Sequence, residues 1–148
     1  MNAIELLRSD QDRLEELFVN VEQTPTPTER LILFRHIKDE LLLYLHVEEI
    51  SVYPVCAEQT DLSAIMQKGV SNHDAIQSLI VEVGEIADET EFNQKIESLI
   101  DLARDHFQGE EKGLFLKMET CRRRCAPTPR PSTMPRAAPC SNGSPTAR

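Results

Sequence analysis

Tryptophan is absent from this chain of 148 residues, glycine occurs five times, and five phenylalanines and two tyrosines supply the aromatic side chains. So few aromatics, with leucine and isoleucine dominant, argue against a β-sandwich. The lack of Gly/Asn turn clusters between short alternating runs argues against a hairpin-built fold. No apolar run approaches the roughly 20 residues that span a bilayer. Met1 leads straight into an acidic amphipathic segment, with no basic stretch followed by an apolar one, so no secretory leader is expected and the cytoplasm is the expected location. Cysteine is also scarce where it would matter. Three of the four, Cys121, Cys125 and Cys140, lie near the end and only Cys56 lies in the main body, which excludes a disulfide framework. Cys121 and Cys125 flank three arginines and lack a second ligand pair, so a zinc ribbon is not expected either.

Positive charge is missing where a nucleic-acid protein would need it. All 25 acidic residues lie at or before Glu119, while six of the 16 basic residues follow it, so residues 1–120 carry 10 − 25 = −15. That charge repels nucleic acid and anionic membranes and suits cations.

What is present is helical periodicity. Asn2 with Glu5 resembles a capping pair, and Ile4, Leu7, Gln11, Leu14, Phe18, Val21 follow in alternating steps of three and four. Thr26-Pro27-Thr28-Glu29 reads as a capping box with proline in the first helical position. The second helix carries Phe34, Ile37, Leu41, Tyr44 and Glu48 on its seam. His46 and Glu49 fall beside that seam, and Tyr53-Pro54 ends or kinks the helix, with a short continuation to about Glu58. Asp61 or Ser63 is the expected cap of the third helix, whose seam is Met66, Gly69, His73, Ile76, Ile80, Val83, Ala87. After Asp88-Glu89-Thr90, a fourth helix is expected from about Glu91 to Met118, on Phe92, Ile96, Leu99, Ala103, His106 and Glu110. Short loops between four helices predict an all-α protein, an up-down-up-down antiparallel four-helix bundle over residues 1–119. Residues 120–148 are expected to form a disordered tail, because 121–148 hold six of the nine prolines, six arginines, no acid and no periodicity.

Each seam has a polar interruption, at Gln11, at Tyr44 and Glu48, at His73, and at His106 and Glu110. With a rise of about 1.5 Å per residue, His73 and His106 fall at matching depths, as do Glu48 and His73; Gln11 and Tyr44 differ by about 7 Å. A histidine and a carboxylate four residues apart on an inward face call for a partner, and a metal ion suits both. Each residue also has a plainer reading. His73 would be a hydrogen-bonded core histidine, Glu48 a rim residue, and Tyr44 a core residue with its hydroxyl on Glu48 or His73. Gln11, a neutral amide, is a poor ligand, and His36 and His46 read as surface residues. An acceptor for the outer nitrogen of either seam histidine is not apparent.

Taken in order, Asp10-Gln11-Asp12-Arg13, Tyr44-x3-Glu48 with Val52-Tyr53-Pro54, His73-Asp74, and His106-x3-Glu110-Glu111 with Leu114-Phe115 resemble the hemerythrin-like cation-binding domain over about residues 1–118. The resemblance implies a bundle whose interior holds a non-haem di-iron centre. Its ligands are a histidine in the first helix, His-x3-Glu in the second, a histidine in the third and His-x3-Glu in the fourth. Glu48, His73, His106 and Glu110 match that pattern. Gln11 and Tyr44 stand where two further histidines are expected. Three outcomes stay open: a single metal, an asymmetric pair with Tyr44 as an oxygen ligand, or a polar network without metal.

The function expected is therefore metal binding, iron first, mono- or dinuclear, with zinc or manganese as alternatives. The roles that follow are O2 or NO sensing, or iron handling, rather than enzymatic turnover, since no substrate cleft or separate acid/base pair is visible. The alternative is a metal-free bundle that acts as an interaction module. Neither a nucleic-acid nor a membrane partner is expected.

Overall fold

The computed structural model describes residues 2–125, and the elements in them are helices joined by two- or three-residue turns. Helix α1 (Ala3–Gln23) opens on the expected capping pair: Asn2 accepts from the Glu5 amide, and the Glu5 carboxylate accepts from the Asn2 amide, each at 2.9 Å. Its buried face is Ile4, Leu7, Leu14, Phe18 and Val21, the predicted seam apart from Gln11. Helix α2 (Pro27–Val47) starts at Pro27, but Thr26 makes no side-chain cap bond, so the capping box does not form. The fixed φ of Pro27 and a 3.0 Å bond from the Arg30 amide to the Thr26 carbonyl start the helix instead.

Two helices change pitch. α2 widens into a π-helical turn at Glu48–Val52 and resumes as α3 (Tyr53–Ala57). Helix α5 (Glu89–Gly109) widens at Glu110–Leu114 and resumes as α6 (Phe115–Cys125). Between them, α4 (Thr60–Glu85) begins at Thr60 with Gln59 before it, and neither Asp61 nor Ser63 caps it. Asp88 caps α5 by accepting from the Glu91 amide at 2.8 Å, so that helix starts two residues before the expected Glu91. At the other end, α6 continues past Met118 to Cys125, beyond the expected boundary at residue 119. The expected disordered tail lies, from residue 126 on, outside the described residues.

Four rods result, α1, α2–α3, α4 and α5–α6, and the tight turns force consecutive rods to run antiparallel. α1 packs on α2 and α5, and α4 packs on α5 and on the α2–α3 rod. Phe18, Ile37, Leu41, Leu45, Ile76, Leu99 and Phe115 lie fully inside. Arg104 ties α5 to α1 through Glu15 and Glu22, both at 2.6 Å, and Arg8 ties α1 to Glu111 and Glu119 at 2.8 and 3.0 Å. Such partly exposed pairs contribute about 0–1 kcal/mol each, so the core, not these bridges, holds the rods together. Among the described residues no helix is long and apolar enough to cross a membrane.

Candidate metal centre

The two π turns begin at Glu48 and Glu110, the two carboxylates of the predicted seam. A π turn holds more residues than an α turn, so it re-aims the side chains around it, and such turns occur mostly where function needs them. Here they bring Glu48 and Glu110 to His73 of α4 and His106 of α5. One donor atom from each of the four lies within 4.8 Å of the other three, and the side chains are between 0 and 4% exposed.

The geometry at the centre is crowded with electron pairs. His73 Nε2 lies 2.9 Å from Glu48 Oε2 and 3.2 Å from His106 Nε2. His106 Nε2 lies 3.2 Å from the same Glu48 oxygen and 2.6 Å from Glu110 Oε1. That last contact is short but not aligned as a hydrogen bond, and Glu110 Oε1 and Glu48 Oε1 are both buried without a hydrogen-bond partner. Adjacent ligands on one ion with bonds of about 2.0–2.2 Å lie roughly 3 Å apart, which is the spacing found. Two imidazole nitrogens and two carboxylates suit iron, manganese or zinc. The residues fit a metal.

The outer atoms fit one too. His73 Nδ1 lies 2.9 Å from Glu49 Oε1, an acceptor that would hold the proton on Nδ1 and leave Nε2 free to face a metal. Asn72 stands 3.4 Å from His106 Nδ1, and its amide can turn its oxygen there to do the same. Tyr53 places its hydroxyl 2.8 Å from His73 Nε2. Gly69 makes room for it: a methyl there would come within 3.0 Å of the Tyr53 ring carbon Cζ and closer still to the hydroxyl oxygen. A cavity of about 170 Å³ reaches the centre between α4 and α5, past Tyr53, Gly69, Asn72, His106 and Glu110.

The protons on the centre follow from burial and neighbours. Burial alone would raise Glu48, but hydrogen bonds with His106 and His73 hold its carboxyl at about 2. Burial pushes Glu110 up to about 8, with the Glu48 charge adding to it and His106 opposing it. Burial would lower His106, yet Glu110 and Glu48 raise it to about 9.

Of the six residues picked out in the sequence, four converge on one point. The other two stand beside it. Tyr44 is buried, but its hydroxyl donates to Glu110 Oε2 and not to Glu48 or His73 as expected. Gln11 Nε2 donates to Tyr44 Oη at 2.7 Å and to Glu110 Oε2 at 2.8 Å. The register gap expected between Gln11 and Tyr44 is closed, since the two side chains meet. His36 and His46 are exposed, as expected. Glu49, Tyr53 and Asn72 were missed. On a plain α-helix Glu49 points about 100° away from Glu48, and only the π turn narrows that angle. For Tyr53 the signals were its place in the Val52-Tyr53-Pro54 motif and Gly69, a residue without a side chain on the inward seam opposite it.

A buried cluster of two histidines and two carboxylates, built from facing rods of an antiparallel bundle, is an arrangement that could hold a metal ion, as in helical-bundle metal sites. The family model described as the hemerythrin HHE cation binding domain matches residues 2–118, and the chain belongs to that family. No curated protein and no solved structure gives a match.

Proposed function

We propose that this chain binds non-haem iron in the bundle interior and, through it, a small molecule of the O2 or NO kind. The observation that carries the reading is the pair of buried carboxylate oxygens, Glu48 Oε1 and Glu110 Oε1, left without donors beside two facing imidazole nitrogens. Buried carboxyl oxygens without partners are costly, and a cation held between them removes that cost. When bound, iron would supply a redox-active ion with an open coordination position. The chain supplies the rest. Glu49 fixes the tautomer of His73, and Asn72 orients His106. With the His73 Nε2 lone pair held on a metal, the Tyr53 hydroxyl would lack an acceptor there. It would then be free to donate into the cavity, whose lining includes Ile65 and Leu114 beside the charged Lys68 and Asp105.

The test is metal analysis of protein made in iron-rich medium, followed by visible spectra of the ferrous form with and without NO. The reading expects stoichiometric iron and a spectrum that NO changes. Protein without iron, which also fails to take it up on reconstitution, would contradict the reading. An iron-loaded protein indifferent to both gases would leave iron handling and remove the sensing role.

A further inference from the structure

Glu110 divides its two oxygens between two different surroundings. Oε1 faces His106 and has no hydrogen bond, while Oε2 accepts from both Tyr44 and Gln11. The second set is closed on itself. The Tyr44 hydroxyl spends its proton on Glu110 and accepts the Gln11 amide proton, and the Gln11 nitrogen spends its two protons on Tyr44 and Glu110. A carboxylate oxygen only accepts, so the NH2 end of Gln11 must face inward, and that end has no lone pair to offer a metal. Tyr44 cannot easily turn away, because its ring packs edge-on against Phe107 at 5.1 Å and Phe107 stacks on Phe18. Both residues occupy positions at which the family pattern places imidazoles. Here two nitrogen donors have been exchanged for a hydrogen-bonded pair that consumes one oxygen of a shared carboxylate.

We propose that the centre takes a single metal ion, held by Glu48, His73, His106 and Glu110 Oε1, and that Gln11 and Tyr44 fill the place of a second ion. The inference rests on the metal-binding reading above and goes further by fixing the number of ions. It also makes Glu110 a one-oxygen ligand, since a carboxylate that bridges two ions needs both oxygens. The two sides of the centre then differ. The side toward α1 and α2 is closed by Gln11 and Tyr44, and the side toward α4 and α5 opens on the cavity beside Tyr53.

The experiment titrates metal-free protein with ferrous iron under anaerobic conditions, removes the excess by gel filtration, and measures iron per chain by mass spectrometry. The wild type is expected to hold one ion, and the variant Gln11→His/Tyr44→His twice as much. Two ions in the wild type would overturn the proposal and leave the metal-binding reading standing; none would overturn both. A folded double variant that still holds one ion would show that residues 11 and 44 do not occupy the second position. A second measurement needs no variant. Oxidised wild-type protein should give an isolated high-spin ferric EPR signal that accounts for all its iron, and a spin-coupled, EPR-silent pair would overturn the proposal.

Discussion

At neutral pH the centre holds protons that a metal must displace. Burial with the neighbouring Glu48 charge raises Glu110 to about 8, and the two carboxylates, working against burial, raise His106 to about 9. Both groups are therefore protonated below about 8, and each must lose its proton to become a ligand. Metal affinity is expected to rise with pH as these protons are released, and to level off above about 9. Competition titrations at several pH values would measure this, and an affinity independent of pH would contradict it. Removing the partner of His73 tests the outer contacts. Glu49→Ala is expected to weaken metal binding by about 10- to 100-fold while the helix content stays unchanged. Full retention of affinity would mean that the 2.9 Å contact does not orient the imidazole. At this scale the sequence was legible where chemistry coincided with periodicity. His73, His106, Glu48 and Glu110 interrupt apolar seams, whereas Glu49 and Asn72 lie beside them and matter only through the histidines they contact.

Among the elements, the π turns and α4 shape the site. A heptad-like pattern continues through Glu48 and Glu110 as though the helix were regular, so nothing in the spacing of apolar residues marks the change of pitch. The seam of α4 did mark one contact. Gly69 leaves a gap on its inward face that the Tyr53 phenol fills, and the rod carrying Tyr53 can lie this close only because no methyl stands there. Gly69→Ala is expected to destabilise the fold by about 1–3 kcal/mol through overpacking and to lower metal affinity as Tyr53 is pushed from His73. Urea denaturation would read the first effect. Tyr53→Phe introduced into the Gly69→Ala background should recover part of the lost stability, because it removes the atom nearest the new methyl. Equal loss in the single and double variants would place the strain elsewhere. Helix starts were less legible than helix faces. Asn2 caps as its sequence suggests, but Thr26 does not and Asp88 does, because a cap depends on the local φ and ψ as much as on residue type.

For the molecule as a whole, the bundle is readable from four apolar stripes and three short connections, and the location of the centre from where polar residues break those stripes. The strong negative charge of residues 1–120 adds a general attraction for cations but not the selectivity, which belongs to the four buried donors. Because the ion would bind the folded chain and not the unfolded one, it should stabilise the bundle by about 2.7 kcal/mol at a free metal concentration 100 times Kd. Thermal unfolding with metal and then with excess chelator would show this as a fall in Tm, and identical transitions would mean that the metal does not reach the core. The most direct measurement is an X-ray diffraction experiment on crystals of the iron-loaded protein, with data collected on both sides of the iron absorption edge. One anomalous peak per chain is expected, enclosed by His73 Nε2, His106 Nε2, Glu48 and Glu110 Oε1. A well-diffracting crystal with no peak there, or with its iron bound only at the acidic surface, would contradict it.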